Sequence, residues 1–255
     1  MRQPAADLHL HTTASDGTLT VDALPAAARQ AGVDIIAVTD HDRIHPDLSA
    51  PVAEIDGVTV VRGIELRVET DSQRLDLLGY GVEPTDALTS ELDRLQQDRV
   101  ERAERVIDCV ESRLDVTLDI EPEPGIGRPH IARAIERSEA AYDYQGAFDH
   151  LIRDGGPCYV PRSITPLDRG IDLLTDACPV VALAHPLRYD DPAAALEHAA
   201  RLDAVERYYP YERSVDTTPV EAAIERHDLL ATGVEPVAFV DYLAIDEPDD
   251  DFAEQ

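Results

Sequence analysis

The sequence predicts an α/β fold with a largely parallel sheet, interrupted by a helical insertion. Three observations predict it. Short apolar runs of strand length alternate with helical patterns in both halves of the chain. Residues 84–155 break that rhythm and carry a long apolar repeat at helical spacing. Imidazole and carboxylate residues gather where the strands end, and the ends of strands are where α/β folds place their chemistry.

The elements follow in order. Residues 5–10 alternate and read as a strand. In TVDALPAAARQAG, Thr20 stands at the cap position, Asp22 in the first turn and Gly32 as the stop of a helix. DIIAVTD (34–40), VTVVRGIEL (58–66) and RLDLLGYGV (74–82) read as strands. From Leu88 to Leu114, Leu92, Leu95, Ala103, Val106, Ile107 and Val110 recur with helical period among charged residues, which predicts one amphipathic helix. Pro129 opens a further helix and YQGAFDHLIRDGG another, ended by Gly155. PCYVP, PVVALAHP (179–186), DAVERYY (203–209) and DLLATGV (228–234) return to strands. The expected organisation is a discontinuous domain of residues 1–83 and 156–246, a helical insertion at 84–155 and an acidic tail at 247–255.

The chain has 255 residues and a net charge of −30, and every one of its 22 basic residues is arginine. Acidity this strong, with apolar periodicity kept throughout, indicates a solvated acidic surface suited to high salt and hence a halophilic source. At about 1 M salt the Debye length is about 3 Å, so self-repulsion is screened. The same charge argues against capture of a long nucleic-acid backbone. Cys109, Cys158 and Cys178 have no CxxC spacing and read as small buried residues of a reduced cytoplasm. No run is long and apolar enough for a membrane span, and no signal-peptide pattern is present, so a cytoplasmic location is expected. The oligomeric state is left open.

The strand ends carry the chemistry. The first ends in His9 and His11, with Asp16 in the turn beyond; the second ends in Asp40 and His41; the third in Glu65. The fourth carries Asp76, and VVALA ends in His185. Residues i and i+2 of a strand point to one side, so His9 and His11 can reach one ion together. An isolated HxH, TDH or glutamate is weak evidence; together, at successive strand ends, they point to a metal site. Imidazole with carboxylate suits zinc, manganese or iron rather than calcium. Neighbouring metals activate water and stabilise a phosphoryl displacement. His45, His150, His198 and His227 read as surface or helix-end residues.

DLHLHTTASDGT, IIAVTDHD, RGIEL, LLGYG, GRPHIARAI and ALAHPLRY together resemble the polymerase and histidinol phosphatase (PHP) domain family, in particular its small-nucleotide phosphoesterase branch. The resemblance implies a distorted (βα)7 TIM-like barrel with a helical insertion and a cluster of two to three divalent metals, manganese first, with zinc or iron as alternatives. It implies that His9, His11 and a bridging Glu65 hold one metal, that Glu65, Asp76 and His185 hold a second, and that Asp16 and His41 hold a third. Asp40 would orient His41. Arg128, His130 and Arg188 would bind phosphate, with Glu65, His130 and Arg128 serving catalysis.

Two departures stand out. The family places histidine before LLGY, where this chain has Asp76, and its closing Gly-Ser-Asp-x-His is absent from LLATGVEPVAFVDYL. Glu235 or Asp241 could replace the lost aspartate. The expected function is hydrolysis of a small phosphorylated metabolite, a 5′-nucleotide or a 3′,5′-bisphosphate nucleotide, by a metal-bound hydroxide. Two alternatives stay open. One is a degenerate PHP module that binds metal without catalysis, and the other is a 5′-3′ exonuclease on short oligonucleotides.

Overall fold

The computed structural model describes residues 5–211 and 213–233; Glu235, Asp241 and the acidic tail lie outside them. The described residues form two compact units, one of residues up to Ser90 with those from Ile164 onward, the other Glu91–Ser163.

The first unit is a sheet curled toward a barrel. Its main path runs β1 (Ala6–Leu10), β2 (Ile35–Val38), β4 (Val58–Glu69), β5 (Arg74–Tyr80), β7 (Val180–Leu183), β8 (Ala204–Tyr208) and β9 (Leu230–Gly233), and β9 returns beside β1. β3 (Val52–Ile55) and the two-residue β6 (Thr165–Pro166) pair with β4 off this path. The barrel-like α/β fold is therefore present.

The sheet is largely parallel, as expected: β1–β2, β2–β4, β4–β6, β7–β8 and β8–β9 are parallel. Three pairings, β3–β4, β4–β5 and β5–β7, are antiparallel. The cause is local. β4 and β5 are joined by a tight turn in which the Thr70 N–H donates to the Gln73 carbonyl at 2.9 Å, and a turn that short permits only antiparallel neighbours. β3 and β4 are joined through Asp56 and Gly57, both at positive φ (52° and 80°). That is the Asp-Gly hairpin signal, which the sequence reading passed over along with β3.

Helix α1 (Leu24–Ala31) follows a 3-10 turn at Val21–Ala23 and stops at Gly32. Gly32 adopts φ 75° and donates its N–H to the carbonyls of Ala28 and Arg29, a left-handed cap that favours glycine. The helix packs Leu24 and Ala28 on Leu10, Ile36, Val38, Val58 and Val60. β2 is apolar along its length because strands cover both its edges and side chains cover its faces. Helices α5 (Leu167–Ala177), α6 (Pro192–Ala199) and α7 (Thr218–His227) precede β7, β8 and β9 in turn.

The second unit is helical. It contains most of α2 (Asp86–Leu114), then α3 (Arg128–Arg137), α4 (Tyr144–Ala147) and a π-helical turn at Phe148–Ile152. Val106, Val110, Ile131, Ile135, Leu151 and Ile152 form its core. PCYVP, expected as a strand, is irregular; a proline at either end removes ladder donors. The expectation of three free thiols is also corrected. Cys109 on α2 and Cys158 form a disulfide, while Cys178 is a buried thiol that burial pushes up to about 12.

Candidate metal centre

β1 presents His9 and His11 on one side of the sheet, as the two-residue period requires. The chain then turns back through Thr12–Gly17 and brings Asp16 beside them. Asp40, at the end of β2, holds that turn. Its carboxylate accepts from the Thr12 N–H at 2.7 Å, the Thr12 hydroxyl at 2.8 Å and the Ser15 hydroxyl at 2.6 Å. Asp40 was expected to orient His41; its carboxylate serves the Asp16 loop instead. Gly17 makes the turn possible, because a Cβ there would stand 2.2 Å from the His11 carbonyl oxygen.

His41 is placed by a parallel bridge to Glu65 on β4, reinforced by the Asp42 N–H donating to the Glu65 carbonyl at 2.8 Å. Glu65 is buried and forms the hub. Its Oε2 lies 3.2 Å from His9 Nε2, 3.2 Å from His11 Nε2 and 3.0 Å from His41 Nδ1. Its Oε1 lies 3.0 Å from His185 Nε2. Asp16 reaches His11 Nδ1 at 3.3 Å and His41 Nε2 at 3.4 Å.

Glu65 Oε2 thus touches three imidazoles within 3.2 Å. Buried imidazole nitrogens and carboxylate oxygens that converge at 3.0–3.4 Å offer a set of metal-ligand atoms. Two such groups have mutually close ligand atoms: His9, Glu65 and His185; and His11, Asp16 and His41. The donor set suits a divalent transition metal. His9, His11 and Glu65, which the resemblance places on one metal, also converge, with Glu65 Oε2 3.2 Å from both imidazoles.

Asp76 belongs to neither group. It is fully buried and its carboxylate is gripped by Arg67, with Nε to Oδ1 at 2.8 Å and Nη2 to Oδ2 at 3.0 Å. Its Oδ2 is also 3.5 Å from His185 Nε2.

Glu206, on β8, is a site residue that sequence reasoning missed. It is fully buried, both its oxygens lie 3.1 Å from His9 Nδ1, and its Oε2 accepts the His185 N–H at 2.7 Å. His185 itself stands at φ 25°, in the left-handed region where a non-glycine residue is strained. A glutamate at the third position of the short strand Ala204–Tyr208 was the available signal.

Charge and burial compete throughout the centre. Burial would raise the Glu65 carboxyl, but His41 and His9 overcome it and hold it well below the usual carboxylate range. Burial would likewise raise Asp16, and His41 and His11 bring it below. Burial would lower His9, but Glu206 and Glu65 raise it well above the usual imidazole value. Burial dominates at His185 and lowers it. Beneath them, burial raises the Asp7 carboxyl to about 7.

Arg188 lies at the edge of the centre. It donates to the Tyr209 hydroxyl at 2.7 Å and stacks 5.5 Å over that ring, which itself meets the His185 ring edge-on at 5.2 Å. Arg128 and His130 are in the helical unit. Buried Arg128 donates to the Ile152 carbonyl at 3.1 Å and to Asp154 at 2.7 Å. His130 Nδ1 accepts the Gly127 N–H at 3.1 Å and caps α3. His45, expected as a surface or helix-end residue, is buried, and its Nδ1 accepts the Asp47 N–H at 3.2 Å.

Three comparisons bear on this centre. A profile of the PHP domain family matches residues 7–162. A 3′,5′-nucleoside bisphosphate phosphatase of Chromobacterium violaceum is 30% identical over 193 residues, which is 72% of this chain and 67% of that one. The 5′-3′ exoribonuclease Rnm of Escherichia coli is 27% identical over 241 residues, 89% of this chain and 82% of that one. For the fold alone, a solved structure from Bifidobacterium adolescentis superposes with a TM-score of 0.75 at 24% identity, covering 99% of this chain and 95% of that chain.

Proposed function

The chain belongs to the PHP domain family, and from that premise we propose that it is a metal-dependent phosphoric ester hydrolase whose substrate is a 5′-nucleotide or a 3′,5′-bisphosphate nucleotide. The observation that carries this reading is the Glu65 hub, one buried carboxylate oxygen within 3.2 Å of three imidazoles. The bisphosphate phosphatase of C. violaceum supports the substrate class.

His9, Glu65 and His185 would hold one divalent ion and His11, Asp16 and His41 another, within a complement of two to three, with manganese first and zinc or iron as alternatives. Such ions supply Lewis acidity to a phosphoryl group and lower the pKa of water. The protein's own residues set the geometry. Glu65 fixes four imidazoles at once, and Glu206 orients His9 and the His185 backbone. Asp40 pins the loop that delivers Asp16. Arg188, braced by Tyr209, offers a planar fork suited to a phosphate. The phosphate role of Arg128 and His130, and with it their part in catalysis, rests on the resemblance.

The test is phosphate release from AMP and from a 3′,5′-bisphosphate nucleotide by Mn²⁺-loaded protein in molar salt. Release is expected; silence across such a panel with metal bound favours a metal-binding module without catalysis. The likeness to Rnm favours a second reading, 5′-3′ trimming of short oligonucleotides. Comparing a mononucleotide with a 5′-labelled oligonucleotide separates the two.

A halophilic source and a cytoplasmic location belong to the same proposal. The first is supported by the −30 charge without lysine. It predicts that the unfolding midpoint rises as salt goes from about 0.1 M to about 1 M and the Debye length falls from about 10 Å to about 3 Å. For the second, no helix among the described residues is long and apolar enough to cross a membrane. The Cys109–Cys158 disulfide weighs toward oxidising surroundings, so the thiol state of protein trapped in cells is the deciding measurement.

A further inference from the structure

The resemblance implies a metal held by Glu65, residue 76 and His185, yet that corner of the centre already contains a full positive charge. Arg67 and Asp76 are direct cross-strand partners on β4 and β5. Both are buried, at 2% and 0% exposure, and the guanidinium grips the carboxylate through two parallel bonds of 2.8 and 3.0 Å. Each residue is also held by its backbone. The Arg67 N–H donates to Asp42 Oδ1 at 3.0 Å, and the Asp76 N–H donates to the Tyr189 hydroxyl at 2.9 Å.

A guanidinium does not deprotonate in a protein. A divalent ion bound through Asp76 would therefore have to displace a permanent cation from its buried counter-ion, leaving an uncompensated charge in the interior. The same pair accounts for the residue at 76. A histidine opposite Arg67 would leave the arginine without a carboxylate on its neighbouring strand, whereas aspartate neutralises it.

Resting on the reading of the two residue groups as metal sites, we propose that the Arg67–Asp76 pair is a built-in replacement for one metal of the cluster. The chain then binds two divalent ions rather than three. Asp76 is a counter-ion and not a ligand, and Arg67 is the fixed cation that it neutralises.

Metal counting tests this without reference to turnover. Protein stripped with EDTA is dialysed against excess Mn²⁺, bound manganese is counted by elemental analysis, and loaded crystals are measured at the manganese absorption edge. Two ions per chain are expected, with anomalous peaks at His9/Glu65/His185 and at His11/Asp16/His41. Asp76→Asn should still bind two, with a change in Kd well short of the about 10- to 100-fold seen when a ligand's support is removed. Three ions in the wild type, a peak ligated by Asp76, or loss of an ion in Asp76→Asn would overturn the proposal. No peak at either group would instead overturn the metal-centre reading beneath it, and the proposal with it. If Asp76→Asn does not fold, the wild-type count and peaks decide alone.

Discussion

Glu206 and His9 stand 197 residues apart in the chain, yet both carboxylate oxygens of Glu206 lie 3.1 Å from His9 Nδ1. This contact leaves His9 Nε2 aimed at Glu65. A ligand imidazole whose other nitrogen is held by a carboxylate is fixed in tautomer and orientation, and losing that support costs about 10- to 100-fold in metal affinity. Glu206→Ala should weaken Mn²⁺ binding at the His9/Glu65/His185 group by that amount. Glu206→Gln, which keeps an acceptor, should weaken it less. Equal manganese affinities in all three proteins, measured by calorimetric titration, would remove the orienting role.

The same carboxylates make metal uptake pH-dependent. His9 is raised well above 6.5 by Glu206 and Glu65, so in metal-free protein it carries a proton near neutral pH that a metal must displace. Apparent Mn²⁺ affinity should therefore rise with pH until the raised His9 value is passed. Calorimetry at pH 7 in buffers of different ionisation enthalpy should detect released protons. Stability of the metal-free protein runs the other way for this group. Its contribution is fully present below 6.5 and is lost as pH climbs through the raised value. Glu65 is depressed, so its contribution is present above 4.5 and is lost as pH falls through its lowered value.

Why some of this was legible and some was not follows from sequence distance. His9, His11 and Asp16 lie within a few residues, and strand period alone places the two imidazoles together. The Asp56-Gly57 turn was equally local and could have revealed β3. Arg67–Asp76 required the β4–β5 register, which sequence does not state; a slip of one residue turns every side chain to the other face. Glu206 required the closing of the barrel. Cys109 and Cys158, 49 residues apart, required the packing of the helical unit.

The disulfide should be a large part of that unit's stability. Closing a loop of this length removes on the order of 4 kcal/mol of chain entropy from the unfolded state. Reduction should lower the denaturant midpoint of the helical unit accordingly. The thiol count checks the premise. Denatured, unreduced protein should expose one reactive thiol, Cys178, against three after reduction. Three thiols before reduction would remove the crosslink.

Gly17 offers a way to damage one half of the centre and spare the other. The Gly17 N–H donates to the Thr12 carbonyl at 3.0 Å, and the turn folds so tightly that an added Cβ would stand 2.2 Å from the His11 carbonyl oxygen and 2.8 Å from the Thr12 nitrogen. Those atoms are backbone, so the loop itself must shift, at a cost of about 1–3 kcal/mol typical of an overpacked site. The loop carries Asp16, which reaches His11 and His41 at 3.3 and 3.4 Å. His9, Glu65 and His185 are set by β1, β4 and the β7 end, outside the loop. Gly17→Ala should therefore weaken the ion at His11/Asp16/His41 and leave the one at His9/Glu65/His185 in place. Crystals of the variant at the manganese edge would show one strong and one depleted peak. Equal depletion of both would mean that Glu65 couples the two groups too tightly for the loop to act on one alone.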